Sequence, residues 1–243
     1  MNKSVLSIML TSSSILLAAG SLQAQSIPSQ PSGAAAKAKA APARPYENRW
    51  FARIGTLGAM YHSSATIAPD GKTNPGASAH VSNNATLMFD IGYDVTKNFS
   101  VMLMGGVPVK PTITGKGAVA SLGELGRVYY GPAILSGAYH FGKLGPFRPY
   151  AGTGVAYCII LKNYDAAVSH LVVNNSFGYV LQVGAEYQVN KKWEAFADVK
   201  QVWLSVDAHG LLSGGVPVNA HVKLNPTIVT AGVKFHFHFG GAR

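Results

Sequence analysis

The chain contains a single cysteine, Cys158. An intrachain disulfide and a cysteine-based metal cluster are therefore both excluded. Charged side chains make up only 12% of the 243 residues, few for a water-soluble domain. Beyond the N-terminal segment no apolar run approaches the roughly 18 residues that a spanning helix needs. Any part of the chain that crosses a membrane must do so as strands. The formal net charge is +10, but no cluster of Lys and Arg interleaved with aromatics accompanies it, which argues against a nucleic-acid partner. Gly152-x-Gly154 lacks the third glycine of a dinucleotide fingerprint. No Ser/His or Asp/His arrangement singles itself out as an enzyme centre, and no motif asks for a cofactor.

What is present starts with an export signal. Lys3 supplies a short positive region, Ser4 to Ala19 is mostly apolar, and small residues surround Ala24. Residues 1–24 read as a cleaved secretory signal peptide. Residues 25–48 are rich in Pro, Ala and Ser, with Lys37, Lys39 and Arg44. They hold too little apolar surface to offset their chain entropy and read as a disordered periplasmic tether. About 195 residues from Arg49 onward are enough for one domain.

That domain, 49–243, is dominated by alternation with period 2. In "FGYVLQVGAEYQV", Phe177, Tyr179, Leu181 and Val183 share one face, while Gln182, Gly184, Glu186 and Gln188 share the other. In "TAGVKFHFHF", Val233, Phe235, Phe237 and Phe239 oppose Lys234, His236 and His238. Eight such stretches are expected as strands: Trp50–Tyr61, Ala85–Val95, Phe99–Val107, Val128–Phe141, Arg148–Leu161, Phe177–Val189, Trp193–Trp203 and Val222–Phe239. The connections alternate strictly. Thr96–Asn98, Gly142–Pro146 and Asn190–Lys192 are short; His62–Asn84, Pro108–Arg127, Lys162–Asn175 and Asp207–His221 are long loops. Short turns at one rim and long loops at the other define an all-β, eight-stranded antiparallel up-and-down transmembrane β-barrel. Trp50, Tyr93, Phe99, Tyr139, Phe141, Tyr187, Trp193 and Phe237 fall beside the short turns, where an interfacial aromatic girdle belongs.

Parity then assigns the interior. Toward the short turns the inward set is Arg53, Asp94, Arg148, Glu186, Glu194, Asp198, Lys200, Lys234, His236 and His238. Both signs in so narrow a space form a polar plug rather than a water channel. Toward the long loops it is Leu57, Tyr61, Met102, Met104, Tyr130, Ile160, Val180, Val202 and Leu204, an apolar lining. Cys158 also points inward, as an inert small apolar residue. His236-x-His238 places two imidazoles on one face about 7 Å apart. Zinc wants three or four ligands, and nothing fixes Glu186 or Asp94 as a third, so these histidines are assigned to the plug.

Three stretches carry a family resemblance: Gly131–Tyr157, Asn175–Val202 and Leu224–Phe237. In the middle one Phe177, Gly178, Gly184, Tyr187, Trp193, Asp198, Val199 and Lys200 stand at characteristic spacing. From about Arg49 to Phe239 the chain resembles the OmpW family of bacterial outer-membrane proteins. The resemblance implies an eight-stranded barrel with an apolar inner channel that helps small hydrophobic compounds enter. Two features depart from the family pattern: residues Gly240–Arg243 after Phe239, where members usually end on an aromatic, and the length of the 25–48 segment. The expected partners are the lipid bilayer and lipopolysaccharide, small hydrophobic molecules and the outer-membrane assembly machinery. The alternative function is a structural or adhesion barrel whose long loops bind host or phage.

Overall fold

The structure is a computed structural model that describes residues 49–190 and 192–237. The segments read as signal peptide and tether, together with His238 and the Gly240–Arg243 tail, lie outside the described residues. Thirteen strands run through the described chain. They are β1 (Trp50–Met60), β2 (Ser64–Pro69), β3 (Ala77–Val81), β4 (Asn84–Asp94), β5 (Phe99–Gly106), β6 (Thr112–Gly117) and β7 (Glu124–His140). There follow β8 (Phe147–Asp165), β9 (Ser169–Val173), β10 (Ser176–Gln188), β11 (Trp193–Leu212), β12 (Val216–Lys223) and β13 (Thr227–Phe237).

Eight of them close a ring in the order β1-β4-β5-β7-β8-β10-β11-β13, and β13 pairs back onto β1. Every pairing is antiparallel, and each barrel strand pairs with the next barrel strand along the chain. Closure leaves no free edge, the condition a sheet must meet in hydrocarbon. The short turns are built by side chains. Thr96 Oγ1 accepts from the amides of Asn98 and Phe99, at 3.2 and 3.0 Å. Asn190 Oδ1 accepts from those of Lys192 and Trp193, both at 2.9 Å. Such local bonds are what Thr and Asn offer a tight turn.

Burial is inverted relative to a soluble protein. Leu181 is 53% exposed while its neighbour Gln182 is 2% exposed. The same alternation leaves Ile54, Leu87, Phe89, Leu103, Leu135, Val183 and Val199 outside. Leaving one such side chain in water forgoes about 1.5–3 kcal/mol, so a continuous belt of them is stable only against lipid. At the short-turn rim aromatic pairs ring the barrel: Trp50 against Tyr93, Phe147 against Tyr187, and Trp193 against Phe235, with centroids 5.0, 5.1 and 4.9 Å apart.

The long connections are not loops. β2 pairs with β12, β12 and β9 pair with the outer end of β11, and β3 with β6, which joins β7. The seventh barrel strand runs to Leu212 rather than stopping near Trp203. The eighth is Thr227–Phe237; Val222 belongs to β12, and the break falls at Leu224–Pro226. These extensions bury an apolar cluster of their own, including Ile67, Val119, Leu125, Leu171, Val206, Val218 and Val222. That burial is the physical reason they fold as strands.

Two inward glycines set the packing of the barrel interior. Gly92 on β4 lies opposite Phe51, and a Cβ there would stand 2.2 Å from the Phe51 ring. Gly184 on β10 makes the same room for Tyr150, whose ring would be 2.7 Å away.

Candidate functional site

The lumen has two chemically distinct halves. In the half near the short turns a buried ionic cluster is centred on Arg53 of β1. Its Nη2 donates to Glu186 Oε1 at 2.7 Å and its Nη1 to the Tyr150 hydroxyl at 3.2 Å. Asp198 lies 3.7 Å and Asp90 4.0 Å from the same guanidinium. Lys234 Nζ donates to Glu186 Oε1 at 2.8 Å and sits 3.7 Å from Glu194. Asp198 accepts from Lys200, from the Tyr150 hydroxyl and from Thr230 Oγ1, the last two at 2.6 Å. His140 Nδ1 is 3.6 Å from Glu186, and its Nε2 shares a hydrogen bond with Ser100. Arg53 also faces the rings of Phe196, Tyr150 and Phe51, and Lys234 that of Phe51.

All eight barrel strands thus contribute a side chain to one bonded set. Ser100 comes from β5, Asp90 from β4, His140 from β7, Tyr150 from β8, Glu186 from β10, Asp198 from β11 and Lys234 from β13. These groups are buried almost completely. An unpaired ion there is strongly disfavoured, so pairing is what permits the charges to exist in that place.

Above this layer the interior is apolar. Leu57, Tyr61, Met104, Val180, Val202 and Leu204 fall in one cluster with Met88, Ile134 and Ile228, and Tyr130 and Ile160 pack against it. Three cavities succeed one another from the outer end inward. The outermost is enclosed by the strand extensions, among them Ile67, Val119, Leu171 and Val218, with His209 the one polar side chain on its wall. The middle one shares Ile113, Ala208 and Val222 with it. The innermost shares Tyr61, Tyr130, Cys158 and Leu224 with the middle one and reaches Leu57, Ile134 and Val202. Volumes of about 60, 50 and 40 Å³ make this a narrow column.

The structure brings Arg53, Glu186, Glu194, Asp198, Lys200 and Lys234 together. Asp94 sits apart at the rim, paired with His236 at 3.4 Å, and Arg148 approaches Glu186 at 3.6 Å from the edge of the lumen. Met102 does not join the apolar half. It lies lower, packed with Phe51, Ala138 and Tyr150 beside the ionic cluster, because level in a barrel depends on strand stagger, not on parity alone. The plug residues expected from the sequence did not include Asp90, His140, Tyr150, Gln182 and Thr230, although Gln182 was already placed on the polar face with Glu186. Each shares parity with an assigned inward residue, and that signal was available: Asp90 with Asp94, Tyr150 with Arg148, Gln182 with Glu186. Among the described residues no three His, Cys, Asp or Glu side chains converge as a metal site requires.

A closed antiparallel barrel with lipid-facing apolar strands, an aromatic rim and a charged interior defines an integral outer-membrane β-barrel protein. Within that class the chain belongs to the OmpW family, whose sequence model matches residues 52–237. It is 32% identical over 198 residues to the dibenzothiophene metabolism operon protein PahQ of Pseudomonas aeruginosa, covering 82% of this chain and 93% of that one. It is 34% identical over 167 residues to the outer membrane protein AlkL of Ectopseudomonas oleovorans, covering 69% and 72%. Among solved structures, OprG from Pseudomonas aeruginosa superposes with a TM-score of 0.73 at 22% identity, covering 79% of this chain and 96% of that one. AlkL in lipid bilayers gives 0.65 at 29% identity, covering 83% and 97%.

Proposed function

We propose that the barrel is a passive, non-enzymatic conduit for small hydrophobic molecules, with the ionic cluster as a plug. The observation that carries this reading is the succession of apolar cavities that ends on a closed charged layer. An ion or sugar entering the column would be stripped of water with too few polar groups to replace its hydration shell, a cost of several kcal/mol. An apolar molecule incurs no such cost, yet it cannot continue through the plug. It leaves sideways into the membrane.

The wall offers a place for that. The β5–β7 ladder stops at Gly105–Ala133 and resumes only as a bridge between Val109 and Tyr130. Pro108 and Pro132 fall in the interval, and neither has an N–H to donate. Pro132 and Ala133 also border the innermost cavity. The name of the PahQ relative mentions dibenzothiophene, itself a hydrophobic molecule. The inner faces of the long connections are spent on burying one another, which favours a conduit over an adhesin. Within this proposal residues 1–24 direct export and are removed, residues 25–48 remain as a periplasmic tether, and the barrel is delivered by the outer-membrane assembly machinery into a lipopolysaccharide-bearing leaflet.

The test is uptake of a fluorescent apolar dye, N-phenyl-1-naphthylamine, by intact cells producing the protein. Leu57→Asp and Leu204→Asp each place a carboxylate in the innermost cavity and should cut the protein-dependent rate about tenfold or more, by the desolvation they impose on the path. A gel comparing boiled and unboiled samples verifies that each variant remains a closed barrel. Unchanged uptake through both folded variants refutes the reading.

A further inference from the structure

The apolar column is interrupted at one level. Tyr61 at the outer end of β1 and Tyr130 on β7 reach across the lumen, and their hydroxyls are hydrogen-bonded to each other. Asn84, the first residue of β4, donates from Nδ2 to the Tyr61 hydroxyl at 3.4 Å. Both tyrosines line the middle and the innermost cavity, so the pair stands where one opens into the other. The rest of those two walls is aliphatic, proline or cysteine apart from the ring of Tyr157.

The hydrogen-bond count at this pinch does not close. Two phenols carry two hydroxyl hydrogens. One is used between the rings, whichever oxygen donates, and the described bonds give the other no acceptor. Asn84 Oδ1 is buried and has no hydrogen-bond partner among the described residues. One spare donor therefore sits at the narrow point, and one spare acceptor lies on the Asn84 amide that bonds to it from beside the two cavities. A buried polar atom left unmatched is costly, and such atoms in an otherwise apolar passage mark where a ligand's polar group belongs.

We propose that Tyr61, Tyr130 and Asn84 form a binding site for a single hydroxyl group carried by an otherwise apolar molecule. The inference deepens the uptake reading and rests on it for the role of the column. A hydroxyl accepts the spare phenolic hydrogen and donates to Asn84 Oδ1, using both groups. A plain alkane uses neither and must separate the two tyrosines without compensation. A carboxylate can accept but cannot donate, and it brings a charge into an apolar passage. The preferred cargo is a long-chain alcohol over the alkane of equal length, so the protein would serve a reaction class that consumes hydroxylated hydrocarbons.

The experiment has two arms with the same probes, 1-decanol and n-decane. In the first, the full barrel with ¹³C-labelled tyrosine rings is held in lipid nanodiscs and titrated with each probe at equal mole fraction in the lipid. Decanol should shift the resonances that vanish in Tyr61→Phe and Tyr130→Phe, and decane should leave them in place. In the second, protein-dependent uptake of both probes is measured in intact cells. The Tyr61→Phe/Tyr130→Phe double variant should lower the decanol-to-decane rate ratio about three- to tenfold, the range a net hydrogen bond supplies. Asn84→Ala, which leaves both rings, should lower it in the same direction. Equal shifts from both probes, or an unchanged ratio in folded variants, overturn the proposal. If neither probe enters faster than in cells lacking the protein, the uptake reading fails, and the nanodisc titration alone decides the hydroxyl site.

Discussion

Replacing Arg53 with methionine removes the centre of the ionic cluster while keeping an unbranched chain of similar reach. The consequences for its three carboxylate neighbours differ. Glu186 keeps Lys234 at 2.8 Å and Arg148 at 3.6 Å. Asp198 keeps Lys200, the Tyr150 hydroxyl and Thr230. Asp90 is the weakly held flank of the network: among the described residues its one ion pair within 4.0 Å is with Arg53, and its Oδ1 has no hydrogen-bond partner. Arg53→Met therefore strands one buried carboxylate above all, and the loss should be about 3–5 kcal/mol, the cost of breaking a buried pair from one side. Adding Asp90→Asn removes the stranded charge and should return about 1–3 kcal/mol of that. Reversible urea unfolding of the barrel in lipid vesicles, followed by Trp fluorescence, measures both. A loss below about 1 kcal/mol in Arg53→Met would mean that the cluster is no more coupled than a surface pair. Equal instability in the single and double variants would show that Asp90 is not the group left alone.

Two further outcomes follow from geometry elsewhere. Gly92→Ala sets a methyl group against the Phe51 ring and should lower stability by about 1–3 kcal/mol, as overpacking does; an unmoved urea midpoint would contradict the packing. At the outer end of β8, Asp165 accepts from the amides of Leu171 and His170, at 3.0 and 2.8 Å, and these bonds hold its carboxyl below the usual carboxylate range. A group depressed on folding stabilises above its unfolded pKa and ceases to do so as pH falls through its folded one. Amide exchange at His170 and Leu171, corrected for intrinsic rates, should therefore lose protection below about pH 4 and lose it at all pH values in Asp165→Ala. Protection that is flat with pH would dissociate the carboxylate from the turn.

The barrel was legible because one signal, alternation with period 2, fixed both the strands and the side that faces lipid. Leu181 beside Gln182, and Lys234 beside Phe235, admit only one orientation in a membrane. Connection length supplied the order. The strand extensions escaped because Gly, Pro and Ser punctuate them as a loop would be: "GLLSGGVPVNAH" hides the alternation of Val216, Val218 and Ala220 behind two glycines and a proline. Height within the barrel was also hidden, which is why Met102 lies lower than expected; stagger is a property of all eight strands together. Parity gave a list of inward charges but no partners. That Arg53 meets Glu186 across the lumen, 133 residues away, depends on closure. The prolines at 108 and 132 were visible as missing donors, but only the register shows that they fall in the same interval of one ladder.

The lengths of β8 and β11, 19 and 20 residues, exceed what a bilayer asks of them. At about 3.3 Å per residue such a strand measures ~65 Å, and with a tilt near 40° it stands ~50 Å tall against an apolar belt of ~25 Å. About half of each of these two strands therefore stands beyond the hydrocarbon, where β7, β9 and β12 pair with them. Carbohydrate surrounding a bacterium repels greasy solutes by keeping them in water, far from the lipid they prefer. Under the proposed uptake role, a greasy bore that opens above the hydrocarbon meets such a molecule before the lipid does, so the height of the wall, as much as its lining, would set what reaches the membrane.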